Sequence, residues 1–516
     1  MPEMGSEHTT SVSRDLAAWV ATSSASDVPD RVLDQARLLV LDGIGCGLYG
    51  ITQDWTAIVK SFVLSVGGRE EAAIWGTSQR VPAFMAPLVN GTSMHAFEYD
   101  DLHPQAVIHA GSQVLPVAFA VAEMLEHQET ATADQSDGAI PAHRVTEAEF
   151  LHAIVLGFEI GARIGLATGA GQLSRGFHPS PNTATFAAAA TASRLLRLDA
   201  EKTAHAFGIA GSFGGYLMAA QYGAMVKRVH PGHAAQSGMS AALLAARGLT
   251  GTEGVLEAPY GGFASSYSDA SPADVEGITQ DLGRRWQIPR FSIKYYPCCG
   301  SNHTSVDAWW VLQEKADLQV DDIDEIEVRC STLTAKHVGW SYSPGSVTTA
   351  QMNLTYCLAA AITDGRLTVD QFDPSRMADP AILNLVKRIR VTADPAIDEL
   401  GRTRRHFVEL RLSTRDGRNL SETCEFPRGS AGNPLHPDQV VAKFRSLANH
   451  RLNERQVAKV ERHILDLGKE SADTFEATTF TKLLAPDSSP TSDSSKQKGL
   501  TAAHEGKVCR PDRSIN

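Results

Sequence analysis

A mainly α-helical fold with a smaller inserted α/β unit is what this sequence predicts, on three observations. Ala-rich segments with few β-branched residues and helical spacing fill the first half of the chain. Period-two alternation appears at Ile326, Val328 and Cys330 and again at Val408, Leu410 and Leu412. Helical spacing then returns with Val440, Val441, Phe444 and Leu447. The division that follows is a large all-helical domain built from both chain ends, over 11–289 and 431–484, with an α/β lid over 290–430. From 485 to 516 Ser, Pro, Thr and Lys dominate, the composition of a disordered tail.

Taken in order, Asp27 is a plausible N-cap and Pro29 a first-turn residue for a helix carrying Val32, Ala36, Leu39 and Val40. Gly43, Gly45 and Gly47 in this apolar run mark close helix approach or a helix end. The next helix spans Leu115–Leu125 with Pro116 in its first turn. Glu129–Ala142 reads as a polar surface insertion. Thr146 and Glu149 fit a capping box ahead of an amphipathic helix through Phe150, Ile154, Phe158 and Ile164. Gly169-Ala170-Gly171 lacks the third glycine and the preceding strand of a dinucleotide fingerprint. Ala-rich helices follow at Thr183–Leu198, Asp199–Ser212 and His233–Arg247, and further helices are expected at Ser301–Lys315 and Thr349–Thr363. Arg415-Asp416-Gly417-Arg418 is a hairpin turn before a returning strand, Asn419–Phe426.

The formal net charge of -12 over 516 residues argues against nucleic acid or an anionic membrane as main partner, because such binding needs clustered cations. An anionic ligand therefore requires a local positive patch. No unbroken apolar run reaches the ~18–20 residues of a membrane span; Leu38–Tyr49 comes nearest. The early residues Glu3, Glu7 and Asp15 suit neither a secretory signal nor an acid-poor transit peptide, and Ser514-Ile515-Asn516 is not a peroxisomal address, so the expectation is cytoplasmic. Seven scattered cysteines make no disulfide framework, and the adjacent Cys298 and Cys299 have no Cys-x-x-Cys partner for zinc.

One stretch stands out chemically. Between Val89 and Leu115 the chain crowds His95, Glu98, Asp100, Asp101, His103 and His109 into apolar sequence, which is costly unless these groups pair or meet a ligand. Caps and turns around Pro104 account for one or two of them. Further along, Lys227, Arg228 and His230 follow Gln221-Tyr222-Gly223 and lead toward a helix start near Gly232, a setting for an inward-facing anion site rather than a solvated basic pair. Lys294 is a second cation, and His178 sits beside Pro179.

These blocks, with Lys294-Tyr295-Tyr296-Pro297-Cys298-Cys299-Gly300, give a chain that resembles the MmgE/PrpD family of lyases from about Ser11 to about Leu484. That family includes 2-methylcitrate dehydratases and cis-aconitate decarboxylases. The resemblance implies a pocket holding His109, His178, Lys227 and Lys294, with Glu98 at a position occupied by Asp or Glu. It also implies a cofactor-free enzyme, a homodimer and a small tricarboxylate substrate. At Cys299 the chain departs from the animal-type decarboxylases, which have His; fungal ones carry a Cys-Cys pair.

Decarboxylation of cis-aconitate leaves charge on an allylic, enolate-like system, and dehydration of a 2-hydroxy tricarboxylate builds similar charge. Both need cations at the carboxylates and an imidazole for the proton. The first expectation is therefore a cis-aconitate decarboxylase, with a citrate or 2-methylcitrate dehydratase as alternative. His109, His178, Lys227 and Glu98 are the expected catalytic residues; Lys294, His103, Asp101, Arg228 and Cys299 are expected to bind substrate. A metal-dependent hydrolase using His95, Glu98, Asp101, His103 and His109 ranks below, for lack of His-Glu-x-x-His spacing. A non-catalytic helical scaffold ranks last.

Overall fold

The computed structural model describes residues 11–130, 141–401, 404–469 and 473–487. The first long helix is Asp30–Gly50, with Pro29 at its N-cap; Asp27 instead closes a short 3-10 turn with Ser24. Gly43, Gly45 and Gly47 do not end the helix, because they are where neighbours press against it. A Cβ on Gly45 would lie 3.2 Å from the Phe444 side chain. The expected helix at 115–125 starts earlier, at Gly111, and Pro116 falls inside it. Ser112 O, the carbonyl that Pro116 cannot bond, lies instead against Gly91.

Glu147–Ser174 is the central helix, opened by the capping box: Thr146 Oγ1 accepts the Glu149 N–H (3.1 Å) and the Glu149 carboxylate accepts the Thr146 N–H (2.9 Å). It is not amphipathic. Helices Gly111–Thr130 and Pro179–Leu195 and the 277–290 segment enclose it, so its apolar residues need no solvent face. By length and composition this helix could cross a bilayer, which a search for unbroken apolar runs overlooks; 94% of its apolar window is buried inside the protein. Helix Val226–Ala246 begins well before Gly232, putting Lys227 and Arg228 in its first turn and Pro231 within it.

The α/β part carries one four-stranded sheet in the order Ile389–Ala393, Ile323–Cys330, Val408–Thr414, Asn419–Cys424. The first pair is parallel and the other two are antiparallel. Ile326, Val328 and Cys330 are fully buried, as their alternation requires. Strand Ile389–Ala393 is too short to show in period two alone, and the expected helix 349–363 divides into Val347–Gln351 and Leu354–Asp364, the second capped by Asn353. Helices Pro437–Ala448 and Glu454–Asp466 return to the first core. The polar insertion falls largely at 131–140 and the tail at 488–516, outside the described residues. Two hydrophobic clusters result, one helical and one centred on the sheet, and Phe97, Leu173 and Met218 of the helical part pack into the second.

Candidate active site

The cleft forms where these two cores meet, and close backbone approach brings its walls together. Helices Ala86–Met94 and Val226–Ala246 touch at glycines: a Cβ on Gly232 would lie 2.2 Å from Leu88 O, and one on Gly91 2.8 Å from Gly232 Cα. This sets the first turn of the second helix beside His95. Leu102 and Ser292 exchange backbone hydrogen bonds (3.0 and 2.7 Å), bringing Lys294 to the His- and Asp-rich stretch. Lys443, from the returning C-terminal helix, pairs with Asp42 (2.7 Å) and donates to Tyr99 O (2.7 Å) and Lys294 O (3.0 Å).

Glu98 is the hub of one wall. Its carboxylate accepts from Lys227 Nζ at 2.7 Å and from Arg228 Nη1, while Lys294 Nζ lies 3.8 Å from Oε1 and donates to the Glu98 carbonyl at 2.9 Å. Burial alone would raise this carboxyl; Lys227, His95, Lys294 and Arg228 outweigh it and hold Glu98 well below the usual carboxylate range. The residue has a left-handed φ of +57°, a conformation costing about 1–2 kcal/mol outside glycine, offset by the cations it meets. Arg228 Nη2 continues to Gln351 Oε1 (2.6 Å), and Gln351 Nε2 donates to Phe97 O and Pro297 O (2.7 and 2.9 Å). Gln351 thus ties both parts of the chain to this wall.

Hydrogen bonds fix the imidazoles as well. His95 Nδ1 donates to the Asp100 carboxylate (2.9 Å), leaving Nε2 to accept from Lys227 Nζ at 3.4 Å. His109 Nδ1 lies 2.6 Å from the Asp101 carbonyl, which can only accept, so Nδ1 carries the proton and Nε2 the lone pair. Burial pushes the His109 imidazole down to about 3, against the pull of Asp100. The His178 ring lies with its Nδ1 3.1 Å from His230 Nδ1, one donating and the other accepting; burial and Lys227 hold His178 well below its usual range. Ring centroids separate His95 from His109 by 5.0 Å and from His178 by 6.1 Å.

Glu98, His109, His178, Lys227 and Cys299 line the cleft. Arg228 and Lys294, both buried, stand behind this surface on Glu98. Asp101 and His103, expected to bind substrate, do not line it. The Asp101 side chain accepts the Gly111 N–H (3.0 Å), and burial beside Asp100 raises its carboxyl well above the usual range. His103 accepts the Ala106 N–H (3.1 Å) and packs edge-on against Phe291, which makes it a turn-forming core histidine. The Cys299 thiol is raised, by burial first and then by Glu98, which disfavours a thiolate nucleophile. The α/β part adds His337, Arg405 and His406, and helix Gly300–Ala316 opens into the cleft at Gly300 and Ser301. Sequence reasoning missed Gln351, Arg405, His406 and His337, which lie in no dense cluster; the basic run Arg404-Arg405-His406 before a strand was the available sign.

Residues 14–276 match the MmgE/PrpD N-terminal domain and residues 296–467 the MmgE/PrpD C-terminal domain. The chain belongs to the MmgE/PrpD family. A cis-aconitate decarboxylase-like protein of Aspergillus oryzae is 33% identical over 90% of this chain and 96% of its own length. The cis-aconitate decarboxylase of Aspergillus terreus is 30% identical over 89% of this chain and 93% of its own, and that of Homo sapiens 26% identical over 93% and 96%.

On this MmgE/PrpD chain, the wall is suited to anions by charge. Lys227, Arg228 and Lys294 face a single carboxylate at Glu98, and helices Pro179–Leu195 and Gly300–Ala316 both open at the cleft, presenting positive dipole ends. His95, Asp100 and His109 bring metal-ligand atom types within 4.8 Å of one another. In this arrangement the Asp100 carboxylate accepts from His95 and orients that ring, while it lies 3.6 Å from His109 Nδ1, whose proton meets the Asp101 carbonyl instead.

Proposed function

We propose that this protein is a cis-aconitate decarboxylase, a carboxy-lyase yielding itaconate and CO2 without a bound cofactor. His109 carries the reading: a neutral imidazole, its tautomer set by a backbone carbonyl, standing in a cleft whose opposite charge is supplied by Lys227 and its neighbours. The names of the relatives point the same way.

The reaction takes a trianion and one proton to a dianion and CO2. Lys227 and Lys294, steadied by Glu98, offset the carboxylate charge that remains as the C–C bond breaks, and that charge spreads over the allylic system. Imidazoles held low by burial gain proton affinity when a trianion arrives beside them, because a nearby negative charge favours their charged form. His109 then takes up a proton on binding and delivers it from Nε2 to carbon, while His178, steadied by His230, donates to a carboxylate. Cys299 contributes a neutral surface where the animal-type enzymes place an imidazole.

Purified protein incubated with cis-aconitate and followed by NMR should give itaconate with stoichiometric CO2. Water loss from citrate or 2-methylcitrate, with no CO2 from cis-aconitate, would replace this reading by the dehydratase. A homodimer belongs to the same proposal. Ile58, Phe62 and Val66, at helical spacing and each more than half exposed, offer an apolar stripe for it, and sedimentation velocity tests the state.

A further inference from the structure

The three cations that the sequence singled out all share one acid. Lys227, Arg228 and Lys294 gather on Glu98, so part of their charge is already answered inside the protein. Arg405, contributed by the α/β part, lines the same cleft and is different. Among the described residues its guanidinium has no carboxylate or carbonyl partner, and its Nε is buried without a hydrogen bond. Its backbone is nevertheless held firmly: Ser331 Oγ and Thr334 Oγ1 both donate to Arg405 O at 2.9 Å. Those two residues begin helix Thr332–Val338, whose His337 also lines the cleft. Next to Arg405, His406 Nε2 lies 3.4 Å from Ser301 Oγ, in the first turn of helix Gly300–Ala316.

A guanidinium carried on a fixed backbone, with its Nε buried and no acid beside it, is costly unless a ligand meets it. Its planar array of donors matches a carboxylate, and the neutral imidazole of His337 and the hydroxyl of Ser301 supply further donors. The neighbouring Arg404 makes the contrast: it is exposed and pairs with Glu425 at 2.9 Å.

We propose that Arg405, with His337 and Ser301, forms a second carboxylate subsite on the α/β wall. It receives the substrate carboxylate most distant from the Glu98 cluster and so makes the site select polycarboxylates that reach both walls. The proposal rests on reading the cleft as a tricarboxylate site, and it adds the specificity-determining residue to that reading.

Isothermal titration calorimetry with propane-1,2,3-tricarboxylate, which binds without reacting, tests it on wild type, Arg405→Met, Arg405→Lys and Arg404→Met. Maleate, whose two carboxylates are locked side by side and engage one wall, is the comparison ligand. Arg405→Met should weaken the tricarboxylate about 10- to 100-fold and maleate less than about 3-fold; Arg405→Lys should fall between, and Arg404→Met should match wild type. Tricarboxylate affinity unchanged in Arg405→Met, or equal losses for both ligands, would overturn the subsite. Wild type that binds the tricarboxylate but releases no CO2 from cis-aconitate removes the decarboxylase reading and leaves the subsite standing; wild type that binds neither ligand removes both. Should Arg405→Met not fold, Arg405→Lys carries the same comparison.

Discussion

Lys227-Arg228 and Arg404-Arg405 are both pairs of adjacent cations, the first at the start of a helix in the helical part, the second ahead of a strand in the α/β part. In the first pair both side chains are buried and both meet Glu98, although a helix N-terminus disfavours cations. In the second pair one cation faces solvent and an acid, and the other faces the cleft without one. The role of a basic pair is thus decided by where the chain places the acid, which for the first pair is 129 residues away.

The largest test of this contrast removes the shared acid. Glu98→Gln leaves three buried cations without a counter-charge, so it should lower stability by about 3–5 kcal/mol in urea unfolding and abolish turnover. Stability within about 1 kcal/mol of wild type would show that Glu98 is not their anchor.

Two histidines of one stretch should separate cleanly. His109→Gln should cut kcat about 10²- to 10⁴-fold while leaving the melting temperature close to wild type. His103→Leu should do the reverse, losing about 1–3 kcal/mol because the Ala106 N–H is left unpaired, with kcat nearly kept.

Acid should act on both walls. His103, His109 and His337 are depressed to about 3 and His230 to about 4, burial being the main cause in each. Unfolded imidazoles bind protons below about 6.5, so between there and pH 3–4 the unfolded chain holds more protons than the folded one. Their stabilising share is therefore complete above pH ~6.5 and is lost as pH falls, by up to about 1.4 kcal/mol per pH unit for each imidazole. Melting temperatures from pH 7.5 to 4.5 give this slope, and His337→Gln should remove one imidazole's share from the Arg405 side. A flat profile over that window would contradict the burial seen on both walls.

The smallest effect concerns the Lys227 wall alone. Exhaustive chelation should leave turnover unchanged, since Asp100 already accepts from His95 and the His109 Nδ1 proton already meets the Asp101 carbonyl. Activity lost to a chelator and restored by one divalent metal would turn this trio into a metal site.

Much of the fold was legible because its determinants are local. Thr146 and Glu149 announced a helix start, and Ile326, Val328 and Cys330 announced a strand, since caps and period-two burial act over a few residues. The extent of Glu147–Ser174 as a buried core helix and the start of Val226–Ala246 were not, because enclosure by other helices overrides a one-faced pattern. In the site, residue chemistry pointed to His109, His178, Lys227 and Glu98, yet it also recruited His103 and Asp101, which share their stretch and not their surroundings.

From the sequence alone come the helical and α/β division, the membership implied by the Lys294–Gly300 block and the Val89–Leu115 stretch, and a local supply of imidazoles and cations in an acidic chain. Tertiary structure decided which imidazoles meet the cleft, that Lys227, Arg228 and Lys294 share Glu98, and that Arg405 is left facing open space. The reason is range. Caps and alternation are settled within a turn or a strand, whereas protonation and charge pairing depend on burial and on partners more than 100 residues away, which only the packed chain brings within hydrogen-bond distance.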